Sequence, residues 1–319
     1  MKRILVTGGA GFIGSHLVDA LVKSGEEVRV LDNLSTGTKK NLNSIIHKIK
    51  FIHGDLRNLA LIKKAVKGID CIFHLAAICS VEKSVDDPRE THETNLTGTL
   101  NVLLAAKEAK VKRVILSSSS SVYGNREQMP LRETDFPNPE SPYGAAKLTG
   151  EFYARIFSHL YGLETVCLRY FNVYGPRQNP HSRYANVIPL FISKILKGER
   201  PEIHWDGKQS RDFVFVADVV QSNLLAMQLT QVHGEVFNVG THEVQSISKI
   251  FQLLKKMLRR NGLEPIFQPK RRGDVRKTLA DIQHAAKKLK FIAKTKFEDG
   301  LKQTLQYFVN GQDETTTGR

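Results

Sequence analysis

Residues 3–32 read RILVTGGAGFIGSHLVDALVKSGEEVRVLD. An apolar run, RILVT, breaks into glycines at positions 8, 11 and 14. Phe12, Ile13, Leu17, Val18 and Leu21 then share one face of a helix predicted over 12–24. A second apolar run, EVRVLD, ends in Asp32. Strand, glycine turn, helix and second strand in that order make a phosphate-binding βαβ unit. Gly8 permits the tight turn, Gly11 lets backbone approach a pyrophosphate, and Gly14 lets the helix pack close to the strand. The helix N-terminus offers N–H groups and the positive end of its dipole to phosphate. Asp32 lies 18 residues past Gly14, near the spacing for a carboxylate on adenosine ribose hydroxyls. No Arg directly follows Asp32, so the pattern favours NAD over NADP.

Working outward, further apolar runs occur at KFIHG (50–54), CIFHLA (71–76), RVILS (113–117) and ETVCLRY (164–170). They are nearly continuous, as in strands buried on both faces. Helical runs at 99–110 and 143–161 alternate with them. The fold class is therefore α/β, a Rossmann-type doubly wound parallel sheet. After about residue 172 the pattern loosens around Pro176, Pro180, Pro189 and Pro201. EVFNVG (235–240), an amphipathic helix at 247–260 and a basic loop at 268–274 follow. Residues 1–172 are read as an NAD-binding domain, and 173–319 as a smaller mixed substrate-binding domain with some segments returning to the first. The tail at 311–319 reads as disordered.

The chain's 319 residues are 41% hydrophobic and 25% charged, an ordinary globular balance. No run approaches the ~18 apolar residues of a membrane span. Glycines interrupt the N-terminal apolar stretch too early for a signal peptide. Cys71, Cys79 and Cys167 form no CxxC, which points to reduced thiols in a cytoplasm and no disulfide framework. No HExxH or Cys/His cluster occurs, so no metal is expected. The net charge is +15, and residues 251–319 carry 16 Lys/Arg against 7 Asp/Glu. Without interleaved aromatics this surplus reads as a solvated face rather than a specific nucleic-acid site.

Tyr143 and Lys147 are four apart behind Ser141-Pro142, a helix start, so both share one helical face. A nearby ammonium favours phenolate and is expected to lower the tyrosine pKa, and a nicotinamide cation would lower it further. Such a tyrosine serves as general base toward a sugar hydroxyl. Five serines, 117–121, follow the strand RVIL. In a doubly wound sheet this places their hydroxyls at the ligand crevice. One or two are expected to act chemically, the others to satisfy backbone groups.

TGGAGFIG, GDLRN (54–58), HLAA (74–77), SSxxVYG (118–124), YGAAK (143–147), LRYFNVYGPRQ (168–178), SRDF (210–213) and RxGD (271–274) occur in order. On these motifs the chain resembles the extended short-chain dehydrogenase/reductase family, most closely its UDP-hexose 4-epimerases. The resemblance implies Ser119, Tyr143 and Lys147 as catalytic residues. It implies a cofactor site built on Gly8, Gly11, Phe12, Ile13 and Gly14, with Asp32, Asn33, Ser35, Thr36 and Gly37 beyond them. Asp55 and Leu56 would flank adenine. Leu75, Ala76, Ala77, Ser117 and Tyr170 would line the cofactor, and Asn95 belongs to this set as a stabiliser of the active-site backbone. For substrate the resemblance implies Ser80, Ser119, Ser120, Asn172, Gln178, Asn186 and Val187. Arg211 and Arg271 would clamp phosphate, Asp274 would meet the uridine ribose, and Thr278 would gate pocket width. It also implies a homodimer built from the helices at 99–110 and 143–161.

Related dehydratases carry an Asp-Glu pair directly after the catalytic Ser/Thr, and decarboxylating relatives carry Glu at the second of those positions. Ser120 and Ser121 stand there in this chain, which points to simple epimerisation. Thr278 is small, which favours UDP-GlcNAc/UDP-GalNAc, with UDP-glucose/UDP-galactose a close rival. Cys79 and Asn186 stand where the amino-sugar group tends to have Gly and Ala. A UDP-glucuronate 4-epimerase and a non-catalytic NAD-binding regulator are the alternatives.

Overall fold

The computed structural model describes residues 1–180, 186–270 and 275–316. Its centre is a seven-stranded sheet of β1 (Arg3–Thr7), β2 (Glu27–Asp32), β3 (Ile49–His53), β4 (Cys71–His74), β5 (Arg113–Ser119), β6 (Glu164–Tyr170) and β7 (Glu235–Val239). The strand order is β7-β6-β5-β4-β1-β2-β3, and every pair is parallel. The chain winds outward from β1 to β3, then returns to place β4 on the other side of β1. The reversal opens a crevice beyond the carboxyl ends of β1 and β4, where such sheets take ligands.

The helices used below are α1 (Phe12–Lys23), α2 (Gly98–Glu108), α3 (Pro142–Tyr161), α4 (Val187–Leu196), α5 (Val216–Gln228), α6 (Ile247–Met257) and α7 (Phe297–Thr316). On one face of the sheet, Leu17, Val18 and Leu21 of α1 and Val219 and Ala226 of α5 join Ile4, Val6, Val28 and Val30 in one core. On the other, Val102, Leu103 and Ala106 of α2 and Ala154 and Phe157 of α3 cover Leu5, Ile72, Val114 and Leu116. Each fully buried Val, Leu or Ile contributes roughly 1.5–3 kcal/mol, so alternate β residues commit to opposite cores and fix the register.

Ser141 caps α3: its Oγ accepts from Gly144 N at 3.1 Å, Pro142 opens the helix, and Gly162 ends it with φ +68°. A third core joins Phe191 and Ile192 of α4, Ile250 and Leu254 of α6, and Leu301 of α7 to Phe213 and Phe215. This layer covers the crevice's far wall.

The segment 235–239 becomes the outer strand β7, pairing Glu235–Val239 with Val166–Tyr170. With this strand, α5 also packs against the sheet, through Val219 and Ala226. Of the tail read as disordered, residues 311–316 continue α7, and 317–319 lie outside the described residues. Leu301, Leu305 and Phe308 anchor α7 in the third core, and a nucleated helix extends at little cost. Among the described residues, no helix is long and apolar enough to cross a membrane.

Candidate active site

The crevice is a cleft of ≈ 1540 Å³. The glycine turn forms one wall. Gly8 has φ +72°, and a Cβ there would lie 2.7 Å from Ala76 Cα and N. A Cβ on Gly14 would lie 2.1 Å from Gly8 O. The β1–α1 turn is thus shaped for bare backbone facing the cleft, which fits a dinucleotide pyrophosphate. Asp32 is buried, with Oδ2 accepting from Ala10 N at 2.9 Å and Oδ1 from Leu34 N at 2.8 Å. These bonds aim the carboxylate and leave each oxygen a further lone pair. Asp55 accepts from Asn33 Nδ2 at 3.0 Å and from Arg57 Nε and Nη2 at 2.9 and 2.8 Å. The Arg57 hydrogen bonds hold its carboxyl well below the usual carboxylate range.

The serine run divides its hydroxyls among separate partners. Lys147 Nζ donates to Ser117 O at 2.7 Å and Ser117 Oγ at 3.2 Å. Ser118 Oγ donates to Glu151 Oε1. Ser119 Oγ accepts from Ser121 N at 3.2 Å and Ser121 Oγ at 2.9 Å, and shares a hydrogen bond with the Tyr143 hydroxyl. Ser119, Tyr143 and Lys147 therefore converge at the cleft, with the phenol and its hydroxyl partner at one point.

The expected lowering of the Tyr143 pKa is corrected for the protein alone. Burial pushes the phenol above its ordinary value, and the Ser119 hydrogen bond offsets this only in part. The Lys147 ammonium sits 5.9 Å from the ring centroid and is committed to Ser117. Burial lowers the Lys147 pKa in turn. Desolvation outweighs the helix pairing that the spacing suggested.

Ser35, Thr36, Gly37, Leu56, Leu75, Ala76 and Ala77 also line the cleft. Tyr170 lines it too, but its hydroxyl is bonded to Asn223 Oδ1 at 3.0 Å. Asn95 does not line the cleft. It accepts from Ile78 N at 2.8 Å and donates to Ile78 O at 2.9 Å, clamping the chain after β4. It holds the wall and does not face the cofactor space, because both its polar atoms are used on that backbone.

At the cap side, Asn172 Nδ2 donates to Asp212 O at 3.2 Å and Thr278 Oγ1 at 3.3 Å. Thr278 pairs with Arg211 in a short parallel ladder, so Asn172, Arg211 and Thr278 share one corner of the cleft. Gln178 donates to Val173 O at 3.1 Å, while its buried Oε1 has no hydrogen-bond partner among the described residues. Ser80, Ser120, Asn186 and Val187 line the same cleft, as does Cys79, a free thiol. Arg271 and Asp274 lie outside the described residues.

Sequence reading missed Arg177, which lines the cleft at φ +67° and donates to Asp19 of α1 at 2.6 Å. The pair ties α1 to the chain entering the cap. It also missed the buried Glu151–Arg169 pair, bonded at 2.9 and 2.7 Å. Glu151 was legible in principle, four past Lys147 on the same helical face. Arg169, inside an apolar strand, was signal of a buried partner. Among the described residues no cluster suited to a metal ion occurs.

The NAD dependent epimerase/dehydratase family model matches residues 4–240. A putative UDP-glucose 4-epimerase of Methanocaldococcus jannaschii is 38% identical over 309 residues, covering 96% of this chain and 98% of that protein. A UDP-N-acetylglucosamine 4-epimerase from Methanobrevibacter ruminantium, solved with UDP-N-acetylmuramic acid, superimposes with TM-score 0.93 at 41% identity. It covers 97% of this chain and 99% of its own. A Thermotoga maritima UDP-glucose 4-epimerase, solved with UDP-glucose, gives the same TM-score of 0.93, 41% identity and coverage of 97% and 99%. The chain belongs to the NAD dependent epimerase/dehydratase family, as an enzyme that uses NAD.

Proposed function

We propose that this chain inverts C4 of a UDP-hexose through a transient 4-keto sugar, with UDP-GlcNAc/UDP-GalNAc as the favoured pair and UDP-glucose/UDP-galactose the near rival. The observation that carries this is the meeting of Ser119 and Tyr143 beside Lys147 at the cleft, with serines at 120 and 121. Neither position supplies the acid that dehydration or decarboxylation needs, so the chemistry stops at oxidation and re-reduction of one carbon. When bound, NAD supplies reversible hydride acceptance. Gly8, Gly11, Phe12, Ile13 and Gly14 would hold its pyrophosphate, and Asp32 its adenosine ribose.

Tyr143 takes the O4 proton and returns it. Its phenol is held protonated by burial in the protein alone, so the base form needs positive charge brought to it. Lys147 and a cationic nicotinamide ring meet that need together. Ser119 orients the sugar hydroxyl toward Tyr143. Asn172 and Arg211, with Arg271, would hold the diphosphate, Asp274 the uridine ribose, and Gln178 Oε1 offers an acceptor to the sugar. Small Thr278 at the Asn172 corner supports room for an N-acetyl group, whereas Cys79 and Asn186 on the same cleft are larger than the Gly and Ala that the amino-sugar group tends to have there. Residues 1–172 serve as the cofactor half and the remainder as the substrate half, apart from α5 and β7.

A homodimer fits the surface. Phe152, Ile156 and Leu160 form an exposed apolar stripe on α3, beside half-buried Leu100 and Leu104 of α2. The free thiols Cys71, Cys79 and Cys167 fit a reducing cytoplasm.

The test incubates the purified protein, without added NAD, with UDP-GlcNAc and separately with UDP-glucose. Proton NMR reads axial against equatorial H4. Appearance of the C4 epimer, lost in Tyr143→Phe, is the expected result, and the ratio of rates ranks the sugars. No change in either sugar even after NAD is supplied overturns the reading.

A further inference from the structure

Tyr143, Lys147 and Glu151 stand at successive i, i+4 positions of α3 and make one buried stripe of phenol, ammonium and carboxylate. Residues 117–119 of β5 answer each rung: Ser117 binds Lys147, Ser118 binds Glu151, and Ser119 binds Tyr143. Glu151 and Arg169 each expose only 5% of their side chains. Arg169 grips both carboxylate oxygens, at 2.9 and 2.7 Å, and lies 4.7 Å over the Tyr123 ring. A small cavity of ≈ 10 Å³ is shared by Glu151 and the catalytic lysine, lined among others by His74, Thr99, Ser118, Lys147, Glu151 and Cys167. That is about the room one water requires, with polar partners on several sides.

We propose that Glu151 is a positioning residue of the reaction: its buried carboxylate, held by Arg169 and Ser118, keeps Lys147 charged beneath the cleft and fixes the serine strand end on which Tyr143 and Lys147 are aligned.

A buried ammonium favours losing its proton unless an anion faces it. The groups that face Lys147 are Tyr143 and Glu151 from α3, His74 from β4, Cys79 from the segment after β4, and Cys167 from β6 with Arg169 beyond it. Burial keeps His74 neutral, lowering it to about 3. Burial also raises the thiols of Cys79 and Cys167 and the phenol of Tyr143. Burial disfavours the charged forms of these four groups, and the carboxylate that faces Lys147 is that of Glu151, paired with the Arg169 cation. A buried ion pair contributes little net stability against an apolar replacement. Retaining Glu151–Arg169 one helical turn behind Lys147 is accounted for by what its field does there.

The proposal rests on the epimerase reading only for its kinetic readout. The proton affinity of Lys147 is measured independently, by the pH dependence of its acetylation with acetic anhydride, read by mass spectrometry of the full chain. Glu151→Gln is expected to move the Lys147 titration, and the alkaline limb of kcat/KM, down by about one pH unit. Glu151→Asp, which keeps the charge, should hold both near wild type even where kcat falls. Ser118→Ala should lower kcat without moving the limb. Should Glu151→Gln alone fail to fold, Glu151→Gln with Arg169→Gln removes the stranded cation and should shift the Lys147 titration downward by less, since a cation leaves with the anion. A folded Glu151→Gln or double variant whose Lys147 titrates as in wild type overturns the proposal. A shifted Lys147 in a protein that epimerises no UDP-sugar would instead refute the substrate reading and leave this one standing.

Discussion

His74 ends β4 directly beside β1, under the floor of the cleft, and it makes the fold acid-sensitive in a defined window. Its ring is fully enclosed between Thr7 Oγ1, 2.8 Å from Nδ1, and Thr99 Oγ1, 2.9 Å from Nε2. Thr99 spends its proton on Asn95 O, so Thr99 accepts and Nε2–H donates. Nδ1 must then accept from Thr7, and the neutral tautomer is fixed by the chain of bonds. Burial lowers the pKa to about 3, against ~6.5 in the unfolded chain. Above pH 6.5 neither state is protonated and His74 costs nothing. Below it the unfolded chain binds a proton that the folded chain refuses, so stability falls with pH until about 3. At pH 5 the 1.5-unit gap from ~6.5 corresponds to about 2 kcal/mol. His16, whose pKa burial also lowers, adds loss of the same sign. Urea denaturation at pH 7, 6 and 5 reads the effect. Wild type should lose stability with a slope steeper by about 1.4 kcal/mol per pH unit than His74→Gln, the worth of one proton. Parallel losses in the two proteins would refute the reasoning.

Gly14→Ala sets a Cβ 2.1 Å from Gly8 O, forcing a backbone shift of about 1–3 kcal/mol; NAD affinity, measured by calorimetry, should fall roughly ten- to hundredfold. Thr278→Tyr fills the corner beside Asn172 and should cut turnover of UDP-GlcNAc about tenfold or more relative to UDP-glucose, since a steric block discriminates by exclusion. NMR rates on both sugars check this. Ile156→Glu puts a charge into the exposed stripe of α3, itself 46% exposed at that residue; light scattering should report a dimer for wild type and a monomer for the variant, with the melting temperature of the isolated fold little changed.

The strands β1, β2 and β6 begin and end where the sequence reading put them. Their Val/Ile/Leu runs are buried on both faces, so the apolar run itself marks the strand. The helix carrying Tyr143 was legible because Ser141-Pro142 is a chemical start signal whose hydrogen bond to Gly144 N forms as expected. The glycine cradle was legible for the same kind of reason: backbone approach admits no substitute for hydrogen. The strand β7 was recognisable as apolar, but its place beside β6 depends on pairing across 65 residues and more, which no local pattern encodes. The Tyr143 pKa went the other way because spacing reports proximity to Lys147 and not the water excluded from both.

The serine run shows why composition misleads where geometry does not. Five hydroxyls in sequence suggest a solvated linker, yet Ser118 is buried, and Ser117, Ser118 and Ser119 in turn bond an ammonium, a carboxylate and a phenol. A strand ending against a helix has only a few residues with which to meet three helix rungs. Larger polar side chains would overfill that contact, and apolar ones would take one hydrogen-bond partner each from Lys147, Glu151 and Tyr143 at about 1–3 kcal/mol each. Serine is the residue that offers a donor and an acceptor in the smallest volume. The run therefore follows from the stripe on α3, and replacing Ser118 by Val should destabilise the protein more than replacing it by Ala or by Thr, since Val both overfills the site and leaves Glu151 one hydrogen bond short.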